Sequence, residues 1–71
     1  MTNTELLREK LEGSGYKLTF IAQRLGLSYQ GFLNKINNKS DFTAPEIAML
    51  KDMLHLSADE CNAIFFYALS R

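Results

Sequence analysis

Gln30 and Asn34 stand four residues apart, and their carboxamides suit the reading of a base edge. A carboxamide offers a donor beside an acceptor and can pair bidentately with adenine. Lys17, Arg24, Lys35 and Lys39 lie around them with charge suited to phosphate oxygens, and Asn37 and Asn38 can hold phosphates by hydrogen bonds. Such contacts position a duplex without specifying its sequence. Phe20, Tyr29 and Leu33 are interspersed, and exposed apolar groups more often mark a protein partner than a nucleic acid. Other chemistry is scarce. One His, one Cys and no Gly-rich phosphate loop leave no nucleophile–base pair or phosphate cradle, so no enzyme is expected. His55 has no Cys or His neighbour at metal-ligand spacing, so neither metal nor cofactor is expected, and its place near a helix end would favour the charged imidazole.

The elements that must position these side chains are helical. Thr2 with Glu5 reads as a capping box opening a helix over Asn3–Glu12, with Leu6, Leu7 and Leu11 as its apolar stripe and Gly13-Ser14-Gly15 as its stop. Leu18, Ile21, Ala22 and Leu25 follow the spacing of a buried face and predict a helix over Leu18–Leu25, ended by Gly26. Ser28 caps a third helix over Tyr29–Asn37, after which Asn38-Lys39-Ser40-Asp41 reads as a polar loop. Thr43 with Glu46, and Pro45 in the first turn, open a fourth helix that turns Ile47, Leu50 and Leu54 inward. Ser57 with Glu60 opens a fifth, with Cys61, Ile64, Phe65 and Ala68 on one face. No strand candidate competes, so the expected fold is all-α with five short helices in a single domain over residues 1–71.

Two short amphipathic helices joined at Gly26-Leu27-Ser28 form the pattern of a helix-turn-helix over residues 18–37. Ile21-Ala22, Leu25-Gly26-Leu27-Ser28, Gly31-Phe32 and Ile36 resemble the lambda-repressor-like, Cro/CI-type helix-turn-helix family, and the resemblance extends over nearly the whole chain. The order Tyr16 to Ala22 followed by Tyr29 to Lys39 is similar to the modulator-of-repression (MOR) type of temperate phages of Gram-positive bacteria. The resemblance implies a regulator of the lytic or lysogenic choice in the cytoplasm of a bacterial host. Its implied partner is a CI-type repressor, as well as or instead of double-stranded operator DNA. The family's docking geometry would direct Tyr29, Gln30, Leu33, Asn34 and Asn37 toward DNA or the partner, with Ser28 at the head of that helix and Phe20 beside it.

Lys35 departs from the family pattern, which is apolar at that position. Tyr29, Phe32, Leu33 and Ile36 make a helical stripe of their own. Two registers of the third helix therefore stay open. One exposes Phe20, Tyr29 and Leu33 as an apolar patch; the other buries Tyr29 and Leu33 and frees Lys35 for phosphate.

The chain as a whole sets bounds. A 46% hydrophobic content argues for a folded protein, and 71 residues bury only a limited core. Eight basic and eight acidic side chains give zero net charge, which counts against strong independent DNA binding. The lone Cys61 excludes an intramolecular disulfide, fits a reducing compartment and, on an inward face, is expected to be packed rather than reactive. The charged segment MTNTELLREKLE lacks an apolar core, so no signal peptide is expected, and the apolar run Ala63 to Leu69 is too short for a membrane span. Phe65 is expected in the core. Phe66 and Tyr67 are left between core and a homodimer contact.

Overall fold

In a computed structural model, residues 1–66 are described, and they form five helices and no strand. These are α1 (Thr4–Gly13), α2 (Leu18–Arg24), α3 (Tyr29–Ile36), α4 (Ala44–Met53) and α5 (Ala58–Phe65). Ala68, expected on the inward face of the last helix, and Tyr67 and Leu69, expected to spread its apolar surface further round, lie outside the described residues.

The starts of α1, α3, α4 and α5 are set by short polar side chains that accept an orphan backbone N–H, whereas α2 opens at Lys17 without a side-chain cap. Ser28 accepts from the Gly31 N–H at the head of α3. Thr43 and Ser57 each form a complete capping box, with Glu46 and Glu60 returning a hydrogen bond to the cap backbone. The α1 start differs from expectation. Asn3, not Thr2, is the cap, accepting from the Leu6 N–H, and no box with Glu5 forms. Thr2 is buried instead, because its backbone pairs with Asn38 across 36 residues of sequence.

Helix ends share one device. After α2, α3 and α4 the chain turns through a left-handed residue, Gly26 (φ 73°), Asn38 (φ 65°) and His55 (φ 53°). The next N–H then reaches back: Leu27 to the Ala22 carbonyl, Lys39 to Asn34 and Leu56 to Lys51, at 2.8–2.9 Å. This is the Schellman arrangement, which satisfies carbonyls left over at a helix end.

The core gathers from every helix: Leu7 and Leu11, Ile21 and Ala22, Phe32 and Ile36, Leu50, Cys61, Ile64 and Phe65. Phe42 and Leu56, from the connections, complete it. Phe42 bridges Phe32 and Phe65 by edge-to-face contacts, with centroids 6.3 and 5.5 Å apart. Phe65 is in the core as expected, while Phe66 is exposed. Among the described residues no helix is long and apolar enough to cross a membrane.

Candidate functional site

The segment from Lys17 to Lys39 places its recognition candidates on two helices held by the core. Ile21 and Ala22 anchor α2, and Phe32 and Ile36 anchor α3. Gly26 takes the left-handed turn between them without a Cβ penalty. Gly31 serves the cap: a Cβ there would stand 3.0 Å from the Ser28 hydroxyl that its N–H needs.

The outward residues of α3 are polar but not charged. The Gln30 Nε2 donates to Asn34 Oδ1 at 3.0 Å, so the two amides act as a unit. That pairing leaves the Gln30 carbonyl as an acceptor and the Asn34 amide as a donor toward a ligand. Asn37 is exposed and accepts from an Arg8 guanidinium N–H at 3.0 Å.

The apolar residues separate. Phe20 and Tyr29 are 40% and 47% exposed, whereas Leu33 is half-buried against the core. The ring partner of Phe20 is Tyr16, stacked at 5.5 Å, rather than Tyr29. Arg24 lies over the same Phe20 ring at 6.0 Å. Tyr16, Phe20 and Arg24 thus form a ladder at intervals of one helical turn, and that four-residue spacing was the signal that would have added Tyr16 to the site.

Neither expected register of α3 holds in full. Phe32 and Ile36 carry the burial, Leu33 flanks them and Tyr29 points out. Lys35 is not freed for phosphate: its ammonium meets Glu46 Oε1 at 2.6 Å, with only 15% and 13% of the two side chains exposed. Asn38 is likewise no free phosphate ligand, because its carboxamide is taken up by Thr2. Lys17, Arg24 and Lys39 remain as the exposed cations of this segment.

The cations are segregated from the acids. Between Gly13 and Ser40 the charged residues are Lys17, Arg24, Lys35 and Lys39, and all eight acidic side chains lie outside that stretch. The zero total conceals this division. Two of the acids are committed to structure. Burial alone would raise the Glu46 carboxyl, but the hydrogen bonds from Lys35 and the Thr43 N–H outweigh it and hold it low. Glu60 is held down to about 2, chiefly by the Lys10 ammonium and then by the Ser57 N–H. Lys10 is raised in return by its hydrogen bond to Glu60.

Among the described residues no cluster of His, Cys, Asp or Glu could hold a metal ion. Compared with protein-family models, with curated proteins and with solved structures, the chain matches none.

Proposed function

We propose that α2, the Gly26 turn and α3 act as a helix-turn-helix of the lambda-repressor-like, Cro/CI type. In this reading the chain is a phage-type regulator of the lytic/lysogenic switch. It works as an antirepressor, seating α3 and Phe20 on the DNA-reading domain of a CI-type repressor. The observation that carries this is the makeup of the outward surface. Phe20 and Tyr29 are exposed beside uncharged Gln30 and Asn34, and Lys35 is withdrawn into an ion pair. Aromatic and amide groups of this kind fit the desolvated centre of a protein interface. The test is co-purification with the cognate repressor and titration into a repressor–operator gel shift. Operator release at stoichiometric protein is expected; unchanged occupancy at saturation would overturn the reading.

The acid-free stretch from Gly13 to Ser40 favours a second reading, a Cro-like repressor acting as a homodimer on a two-fold operator. Lys17, Arg24 and Lys39 would neutralise phosphates there, and each neutralised phosphate contributes about −0.9 to the slope of log affinity against log salt. Salt separates the two readings. A DNA-reading face built to meet phosphates is itself basic. Added salt would therefore screen repulsion in the repressor complex but strip affinity from a DNA complex, by a slope of about −3 per protomer for three contacts.

A further inference from the structure

We propose that Asn38 is a positioning residue: its carboxamide clamps the C-terminal end of α3 to the N-terminal segment and thereby fixes where α3 presents Asn34 and Asn37. The Asn38 Oδ1 accepts from the Thr2 N–H at 2.8 Å, and its Nδ2 donates to the Thr2 carbonyl at 2.8 Å. The side chain thus closes a two-bond ring on a single residue's backbone, as a neighbouring strand would. The same Nδ2 lies 3.3 Å from Thr4 Oγ1, whose hydroxyl donates to the Ile36 carbonyl, the last of α3, at 2.6 Å. Arg8 binds Asn37 from α1. On its other side the strap is anchored by the Asn3 N–H, which donates to the Ile64 carbonyl of α5 at 2.6 Å. Thr2 to Thr4 therefore tie the end of α3 to the end of α5.

Two independent demands select asparagine at this position. The backbone is left-handed, which asparagine tolerates better than most residues with a Cβ. The ring needs an acceptor and a donor side by side, which a carboxamide supplies and an ionised carboxylate does not. Glycine meets the first demand alone, and aspartate can meet the second only when protonated. The clamp exists whatever α3 binds; its effect on recognition rests on α3 being the recognition helix proposed above.

The test uses the full chain and amide hydrogen exchange with 15N chemical shifts. In Asn38→Gly, helical content is retained, protection of the Thr2 and Asn3 amides falls about tenfold, and the Asn34 and Asn37 resonances move. Asn38→Asp shows the same loss near neutral pH. Its protection returns at about pH 3, below the ordinary aspartate value of about 3.9, where a protonated acid again donates to the Thr2 carbonyl. Glu5 lines the same depression, Arg8 reaches Asn37 and Lys39 is adjacent, so the parent protein at each pH is the baseline. Unchanged Thr2 protection and Asn37 shifts in Asn38→Gly would overturn the clamp, as would an aspartate variant that follows the glycine variant at both pH values. These readouts involve neither repressor nor DNA, so failure of the proposed function leaves them intact. If Asn38→Gly fails to fold, the pH-dependent recovery of Asn38→Asp still decides the matter.

Discussion

The α2–α3 region and the frame made by α1, α4 and α5 use their polar side chains in opposite ways. In the frame, acids do structural work twice over. Glu46 and Glu60 each complete a capping box and also reach across to another helix, to Lys35 and to Lys10. In the α2–α3 region there is no acid, the cations Lys17, Arg24 and Lys39 are exposed, and two aromatic rings face outward. The exposed cations thus lie apart from the acids, two of which the frame holds in caps and ion pairs. Net charge summed over the chain is the wrong measure of such a molecule.

The largest effect should come from breaking the shared base of both regions. Phe32 is fully buried under α3 and meets Phe42, which in turn meets Phe65 of the frame. Phe32→Ala removes the fully buried ring at one end of this chain of rings and leaves a cavity, at a cost of roughly 3–5 kcal/mol. A domain of this size holds only about 4–10 kcal/mol in total, so the urea midpoint should fall by roughly a third or more. Phe20→Ala, at an exposed ring, should shift it by less than about 1 kcal/mol. Equal losses in the two variants would mean that the outward aromatics also support the fold.

A middle-sized effect tests the seam. Glu46→Gln keeps an oxygen for the Thr43 N–H but gives Lys35 no charge, which should cost roughly 1–2 kcal/mol at neutral pH. The pH dependence has a definite sign. Carboxyls held below their ordinary value of 4.5 contribute stability that is fully present above it and drains away as pH falls through the folded value. Acid melts should therefore show stability flat above 4.5 and declining toward about 2, where Glu60 takes up its proton. Glu46→Gln should flatten part of that decline. A variant with the parent's full acid sensitivity would show that the Lys35 pair is energetically idle.

Local chemistry made much of this legible in advance. Ser28, Thr43 and Ser57 cap the helices they were expected to cap, because a cap and its N–H lie within three residues. Gly26 turns where expected because the left-handed region singles glycine out. The misses come from contacts between distant residues. Thr2 and Asn3 are both competent caps, and only the pairing of Thr2 with Asn38 shifts the start of α1 to Asn3. Lys35 looked available for phosphate because Glu46 stands on another helix. Phe42, within what reads as a polar connection, gives no periodic signal of the core position it takes. Charge segregation was visible in the sequence but was lost in the total.

The smallest effect returns to the two regions through a shared backbone state. Asn38 ends α3 and His55 ends α4, both left-handed and both followed by an N–H that closes a Schellman motif. Asn38 uses its side chain there, whereas among the described residues no hydrogen bond or ion pair engages the His55 side chain. A left-handed residue with a Cβ costs roughly 1–2 kcal/mol, and glycine recovers that at the expense of about 0.4–1 kcal/mol of unfolded-state freedom. His55→Gly should therefore stabilise the fold by about 0.5–1 kcal/mol, a rise of a few degrees in thermal midpoint. Asn38→Gly, with the same backbone relief, should instead destabilise it, because the two-bond ring to Thr2 is lost with the amide. The same substitution at two helix ends thus has opposite signs if side-chain chemistry is concentrated at the end of α3. Stabilisation at both sites would reduce Asn38 to a turn residue and the two helix ends to equivalents.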